Sequence, residues 1–491
     1  MAHGSQDVDL EREKAPAELR KRRRRRGAVG ALTALAVVLA VGGGWWGVNR
    51  IFGRCAGMSE QDGQCYGVTD GRTPVHSDPG LLAAENAIRA ENDRVAGIAE
   101  PAVTVALLTP VPHGDELSSA SVEQVRSTLE GAAFAQQETN RELHTPKIRL
   151  VIADEGVNEK HWRAVVDELR TMRDDPSPLV AVTGIGVSTA GSSAAMREIA
   201  AMGIPMVGST ITADEFKAPE YSGLKRVGVA NREEVEALSA QLAGRSGRQG
   251  RMMLINDKYP GDFYTVGLSN DFRRAFPVAL SNVALPFQGR SNQMATQFDG
   301  IRGYVCTGTD TVLYAGRANV LRDLVGALGE RGCPNPVTVV TGSDGSSIPH
   351  TDVPPGIRVV YAALAAPPAL RDPQRNPAAQ RYVRFERDFT AHFDRANLDN
   401  GWAIMNYDAL LTASTAIHDA VANADSSTRA NPIPDAASVR GKLDQINNAR
   451  NAVDGADGRF YFDPGTGDPV RQKGVDVIEM DHEHPPAPLG K

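Results

Sequence analysis

The stretch "LVAVTGIGVSTAGSSAAMREIAAMGIPMVGST", Leu179 to Thr210, decides the fold class. Apolar strand-formers run into Gly184 and Gly186. The chain then opens into hydroxyls and alanines, continues with a helical apolar period, and ends in the short strand "IPMVGST". Strand, helix and strand in this order form a βαβ crossover, which builds a parallel sheet covered on both faces. The corner itself has three readings. A P-loop needs a lysine that does not follow Gly191, and a dinucleotide fingerprint has Thr189 in the place of its third glycine. Gly186-Val187-Ser188-Thr189-Ala190 is similar to a nucleophile elbow with Ala190 for the last glycine. Its base would have to come from His350, His392, His418, His482 or His484, and none sits in a strand-end loop beside an acid, so a serine hydrolase using Ser188 is the remote alternative. The third reading is a helix N-terminus whose amides receive a small anion, with Ser188 and Thr189 capping the helix and donating to the ligand. Capping alone accounts for these hydroxyls equally well.

The same alternation extends on both sides. "AVTVALL" (102–108), a helix over 121–143, "KIRLVIADEG" (147–156) and the helix "EKHWRAVVDELRTMRDD" precede the corner. After it, "RMMLIND" (251–257), a helix over 263–276, "TVLYAG" (311–316), "ANVLRDLVGALGERG" and "PVTVVTG" make a second α/β unit of similar size. "GIRVVYAAL" (356–364), helices around 385–395 and 404–420, and a hairpin of "GRFYFD" and "GVDVIEM" around "PGTGDP" follow. A chain of 491 residues exceeds what one core usually supports, so two α/β lobes with a cleft between them are expected.

Charge is uneven along the chain. Residues 1–50 hold ten Lys/Arg against five Asp/Glu, so the remainder carries a formal −12 of the total −7. An acidic body argues against a nucleic-acid backbone binder. The basic run "KRRRRR" (21–26) stands directly before 22 uncharged residues, 27–48, long enough to cross a bilayer, with Trp45 and Trp46 at the far interface. The expectation is a basic cytoplasmic N-terminus (1–26), a transmembrane signal anchor (27–48), a juxtamembrane segment (49–100) and an extracellular main body. A cleaved signal peptide ending near Ala40-Val41-Gly42 is the rival. Cys55 with Cys65, and Cys306 with Cys333, are disulfide candidates outside the cell, and no pair has metal-ligand spacing.

With the corner on the third strand of the first unit, the order of motifs from Ala102 to Met480 resembles the type 1 periplasmic binding proteins of the branched-chain amino acid kind. "LEGAAFAQQETN", "LINDKYPGDFYTVGL", "TVLYAGRANVLRDLVGALGERG" and "AIMNYDALLTASTAI" carry the likeness with the corner. The anchor and the Ala/Arg-rich composition are similar to versions in high-GC Gram-positive bacteria. The resemblance implies two Rossmann-like lobes joined by three crossovers near Arg226, Asp344 and Asp454. Lobe 1 would span 101–226 and 345–452, lobe 2 would span 227–344 and 453–480, and 481–491 would be a disordered tail. It implies ligand contacts from Ser188, Thr189, Thr210 and Thr212 in lobe 1, and from Tyr259 and Asp262 in lobe 2. It further implies no enzymatic activity, no cofactor, and an ABC permease or a membrane sensor as partner. Relatives of this kind place an acid after the strand matching "TVLYAG" to meet the ligand ammonium, whereas this chain reads Arg317-Ala318-Asn319-Val320. An unpaired buried ammonium is costly, so Arg317 points instead to a second anionic group or to the surface. An interaction protein with a degenerate cleft stays open beside transport and sensing.

Overall fold

The computed structural model describes residues 55–61, 63–113, 118–142, 144–243, 251–277, 280–289, 294–372, 374, 379–422, 433–472 and 474–490. The chain divides into two compact units, Met1–Ser59 and Glu60–Lys491. Of the first, only Cys55–Ser59 is described, a turn in which the Met58 N–H donates to the Cys55 carbonyl at 2.9 Å. The expected membrane span at 27–48 lies outside the described residues. Among those residues no helix is long and apolar enough to cross a membrane. Apart from Cys55, everything below concerns the second unit.

Its first sheet contains β1 (Gln64–Thr69), β2 (Ala102–Thr109), β3 (Lys147–Asp154), β4 (Leu179–Gly184), β5 (Met206–Gly208) and β6 (Leu224–Arg226), adjacent in the order β1-β3-β2-β4-β5-β6. All neighbours pair in parallel except β1, which runs antiparallel to β3. β2, "AVTVALLT", is buried along nearly its whole length, as a central parallel strand with helices on both faces must be. The helices of this lobe are α1 (Pro79–Ala96), α2 (Val122–Arg141), α3 (Trp162–Thr171) and α4 (Ala190–Ala201). α2 opens with a capping box in which Ser121 and Gln124 satisfy each other's amides.

The second sheet contains β7 (Arg251–Asp257), β8 (Leu280–Phe287), β9 (Thr309–Ala315), β10 (Val337–Thr341), β11 (Ile357–Ala362), β15 (Val477–Asp481) and β16 (Ala487–Pro488), ordered β16-β15-β11-β10-β9-β7-β8. Its helices are α5 (Asn231–Ala243), α6 (Phe263–Ala275), α7 (Met294–Cys306) and α8 (Ala318–Gly329). The chain then returns to the first lobe with α9 (Ala379–Phe389), α10 (Trp402–Ala422) and α11 (Ala436–Gln445). α10 lies against α2 so closely that a Cβ on Gly131 would come 2.1 Å from the Ala403 carbonyl oxygen. A small third sheet, β12 (Val453–Gly455), β13 (Gly458–Phe462) and β14 (Pro469–Arg471), packs beside α9 and α10. Asp408 of α10 accepts from the Ala456 and Asp457 amides at 2.6 and 3.1 Å and holds its first turn, the backbone-orienting role its helix position suggests.

Several boundaries differ from the sequence reading. Residues 64–96 are not a separate juxtamembrane segment, because β1 extends the first sheet and α1 packs on α2 and β3. β11 pairs with β10 through Val337↔Ile357 to Thr341↔Tyr361, and Ala366 and Ala369 belong to the second core. The second passage between lobes therefore falls beyond Leu370 and not near Asp344. The apolar alternation of "GIRVVYAAL" signals a strand but carries no mark of which sheet receives it. The hairpin around "PGTGDP" joins β13 to β14, while "GVDVIEM" leads into β15, antiparallel to β11, so the third passage lies between β14 and β15 and not near Asp454. The tail is ordered through β16, where Ile478↔Pro488 and Glu479↔Ala487 pair. Cys306 and Cys333 form a disulfide, Cys55 and Cys65 are each disulfide-bonded, and no described cysteine is free.

Candidate functional site

Counted from their own first parallel strand, both sheets have the order 2-1-3-4-5, as β3-β2-β4-β5-β6 and β7's β8-β7-β9-β10-β11. Such sheets bind ligands outside the carboxyl ends of the strands where the order reverses, here β2/β4 and β7/β9. Nearly all the sequence-derived candidates stand at or beside these ends. Gly184 ends β4 at φ 81°, with the Leu108 carbonyl oxygen 2.5 Å from where a Cβ would be, and Ile185 follows at φ 51°. This left-handed pair turns the chain sharply out of the sheet, a costly conformation for isoleucine that aims Val187–Ala190 across the cleft.

In the first lobe the hydroxyls are already engaged. Ser188 Oγ accepts from the Thr212 and Ala213 amides at 3.0 and 3.2 Å. Thr210 Oγ1 donates to the Gly186 carbonyl at 2.7 Å. Thr212 is buried, and its carbonyl accepts from the Asn231 amide at 2.7 Å. Thr189 caps α4 by accepting from the Ser192 amide at 3.2 Å, and its hydroxyl donates to Glu159 Oε2 at 2.5 Å. The other oxygen of Glu159 accepts from Ser119 Oγ at 2.6 Å. Burial raises the pKa of the Glu159 carboxyl, against the pull of these two hydroxyls. Ser188 has no histidine partner among the described residues, so the nucleophile reading has no base.

In the second lobe the groups are ionic. Asp262 caps α6 through the Thr265 amide at 3.2 Å and takes a bidentate pair from Arg317, Nε at 2.7 Å and Nη2 at 2.9 Å. Arg317 Nη1 also lies 3.8 Å from Asp344 Oδ2, and the guanidinium stacks 4.8 Å from the centre of the Tyr264 ring. Burial pulls the Arg317 pKa down, but Asp262 and Asp344 outweigh it and the net shift is upward. Arg317 is thus neither a surface residue nor a free receptor for an anion, because its charge is spent on two carboxylates of its own lobe. Asp257, at the end of β7, accepts from the Tyr259 and Gly289 amides at 3.0 and 3.1 Å, and burial raises its pKa. Tyr259 stands at the rim, 38% exposed.

Between the lobes is a pocket of about 280 Å³ including its open mouth. Ser118, Ser119 and Asn158 line it from the first lobe, and Asp257, Asp262, Arg317 and Asn319 from the second. Ser188, Thr189, Thr210 and Thr212 are buried and do not line it. Sequence reasoning missed Glu159 and Asp257, although "IADEG" and "LIND" mark the strand ends that carry or precede them. It also missed Trp402, whose ring packs over Gly186 and whose buried Nε1–H has no acceptor among the described residues.

No protein-family model and no curated protein matches the sequence. Solved structures do match. An ABC transporter substrate-binding protein from Desulfitobacterium hafniense, in complex with Leu, is 19% identical over 78% of this chain and 98% of its own, with a TM-score of 0.54. A leucine-binding protein from Thermotoga maritima is 16% identical over 77% and 94%, with a TM-score of 0.55. An ABC transporter solute-binding protein from R. palustris, in complex with 4-hydroxybenzoate, is 13% identical over 77% and 92%, with a TM-score of 0.57. The chain has the two-lobe fold of the type 1 periplasmic binding proteins. These three neighbours are substrate-, leucine- or solute-binding proteins.

Proposed function

We propose that the chain is a membrane-anchored extracellular solute-binding protein whose lobes enclose a small polar ligand for an ABC permease. The observation that carries this reading is the pocket between two facing switch points, lined from both lobes. The anchor rests on the "KRRRRR" run and the uncharged residues 27–48. Solved neighbours in this fold hold leucine or an aromatic acid, so the fold alone does not choose the ligand. The lining does favour one class. Arg317 is committed to Asp262, whereas the Asp257 carboxyl accepts from two amides and meets Arg317 only through a longer-range attraction, with no ion pair of its own among the described residues. Asp257 supplies from the end of β7 the acid that is missing after β9, and an amino-acid-like ligand with an ammonium group meets it.

The test is the melting temperature of the purified chain against amino acids, amides, dicarboxylates, aromatic acids and nucleosides. A ligand at about 100 times its dissociation constant adds ~2.7 kcal/mol, a shift of a few degrees. Amino acids should give that shift, and Asp257→Asn should remove it without unfolding the chain. A shift with acids lacking an amine overturns the ligand class. The second reading, an interaction protein with a sealed cleft, is favoured by the burial of Ser188, Thr210 and Thr212. No shift with any compound, and no small molecule retained in native mass spectrometry, would establish it over solute binding.

A further inference from the structure

The two lobes touch through main chain directly at the candidate site. The Ser188 carbonyl, in the first lobe, accepts from the Phe263 and Tyr264 amides of the second at 2.9 and 3.2 Å. The Ala190 amide donates back to the Gly261 carbonyl at 2.9 Å, and Thr189 and Asp262 form an isolated antiparallel bridge. Phe263 and Tyr264 open α6, so two of the amides that a helix N-terminus leaves without an internal partner are filled by Ser188. The Phe263 ring crosses with them, packs on the first lobe's core and meets Phe216 edge-on at 5.8 Å.

We propose that this bridge is a latch that holds the lobes closed with no solute bound. Here three main-chain hydrogen bonds and an aromatic plug link the lobes directly, and they require nothing from a bound molecule. Closure is therefore an equilibrium set mainly by the chain itself, and a ligand shifts it only by what it adds in the remaining pocket. The inference goes beyond the solute-binding reading and stands or falls separately, because its test contains no ligand.

The latch can be broken without touching the pocket. Ala190 is the first residue of α4, a position where proline is tolerated, and Thr189 before it is extended at φ −130° and ψ 171°. Ala190→Pro deletes the N–H that reaches Gly261 and leaves α4 able to form. Phe263→Ala removes the plug from the other side and leaves α4 untouched. The readout is hydrogen exchange of the full, ligand-free chain, followed at Ala190, Phe263 and Tyr264, with β2 and β4 as internal controls for folding. In the wild type these three amides should be protected. Either variant should speed exchange of the Phe263 and Tyr264 amides about tenfold or more while β2 and β4 stay protected. Rapid exchange of the three amides in the ligand-free wild type overturns the proposal. So does unchanged protection in a variant whose control strands remain protected. If Ala190→Pro exposes the control strands as well, Phe263→Ala decides by the same two outcomes.

Discussion

The corner after β4 and the corner after β9 occupy the same topological place in their sheets, yet they are built from opposite chemistry. The first relies on neutral hydroxyls: Ser188 gathers two amides, Thr189 caps α4, and Glu159 is the one acid it binds. The second relies on full charges, with Arg317 standing before α8 and holding Asp262 and Asp344. Topology fixes where the polar groups converge, because both corners are strand ends at a reversal of order. It does not fix which groups they are. The neutral corner distributes its interactions over many small bonds, whereas the charged corner concentrates them on one side chain.

If that contrast is sound, the charged corner should fail hardest. Arg317→Ala strands two buried carboxylates, and a loss of about 3–5 kcal/mol is expected in chemical unfolding of the second lobe. A loss below 1 kcal/mol would show that solvent already reaches the pair. A smaller effect is expected from pH. Burial pushes Glu234 of α5 up to about 8, while one of its oxygens accepts from the Ser343 amide at 3.0 Å and the other has no partner among the described residues. The folded chain holds a proton that the unfolded chain releases near pH 4.5. This group's contribution to stability therefore falls as pH rises from about 4.5 to about 8 and is flat above. Glu234→Gln should remove on the order of 2 kcal/mol of that fall between pH 5 and pH 8, read from urea midpoints. The smallest effect belongs to the neutral corner. Thr189→Val deletes the cap and the Glu159 bond at a cost of about 1–2 kcal/mol, and Thr189→Ser should restore most of it in the same thermal melts. Equal losses for Arg317→Ala and Thr189→Val would break the contrast.

The sequence made the βαβ pattern and the neutral corner readable because both are local. Gly184, Ser188 and Thr189 lie within six residues, and periodicity covers the rest. What it could not convey depends on partners far along the chain. The departure at Arg317 was visible, but not that Asp262, 55 positions earlier, meets it. The strand ends around Glu159 and Asp257 each carry other acids or polar groups, and only the fold shows which line the cleft. Gly131 reads as an ordinary helix glycine until α10 arrives against it. β11 was recognisable as a strand, but its sheet was assigned by register with β10, which no single stretch encodes.

The strand order also has a consequence for the order of synthesis. β15 and β16 complete the second sheet from residues 477–488, and α10 covers α2 of the first lobe from residues 402–422. Neither lobe is therefore a continuous piece of chain. During translation the first lobe waits with the Gly131 face of α2 uncovered for some 270 residues, and the second stays open along β11 until residues 477–481 emerge. A chain stopped at residue 470 would have every group of the candidate site and still lack a strand on which the second lobe closes its sheet.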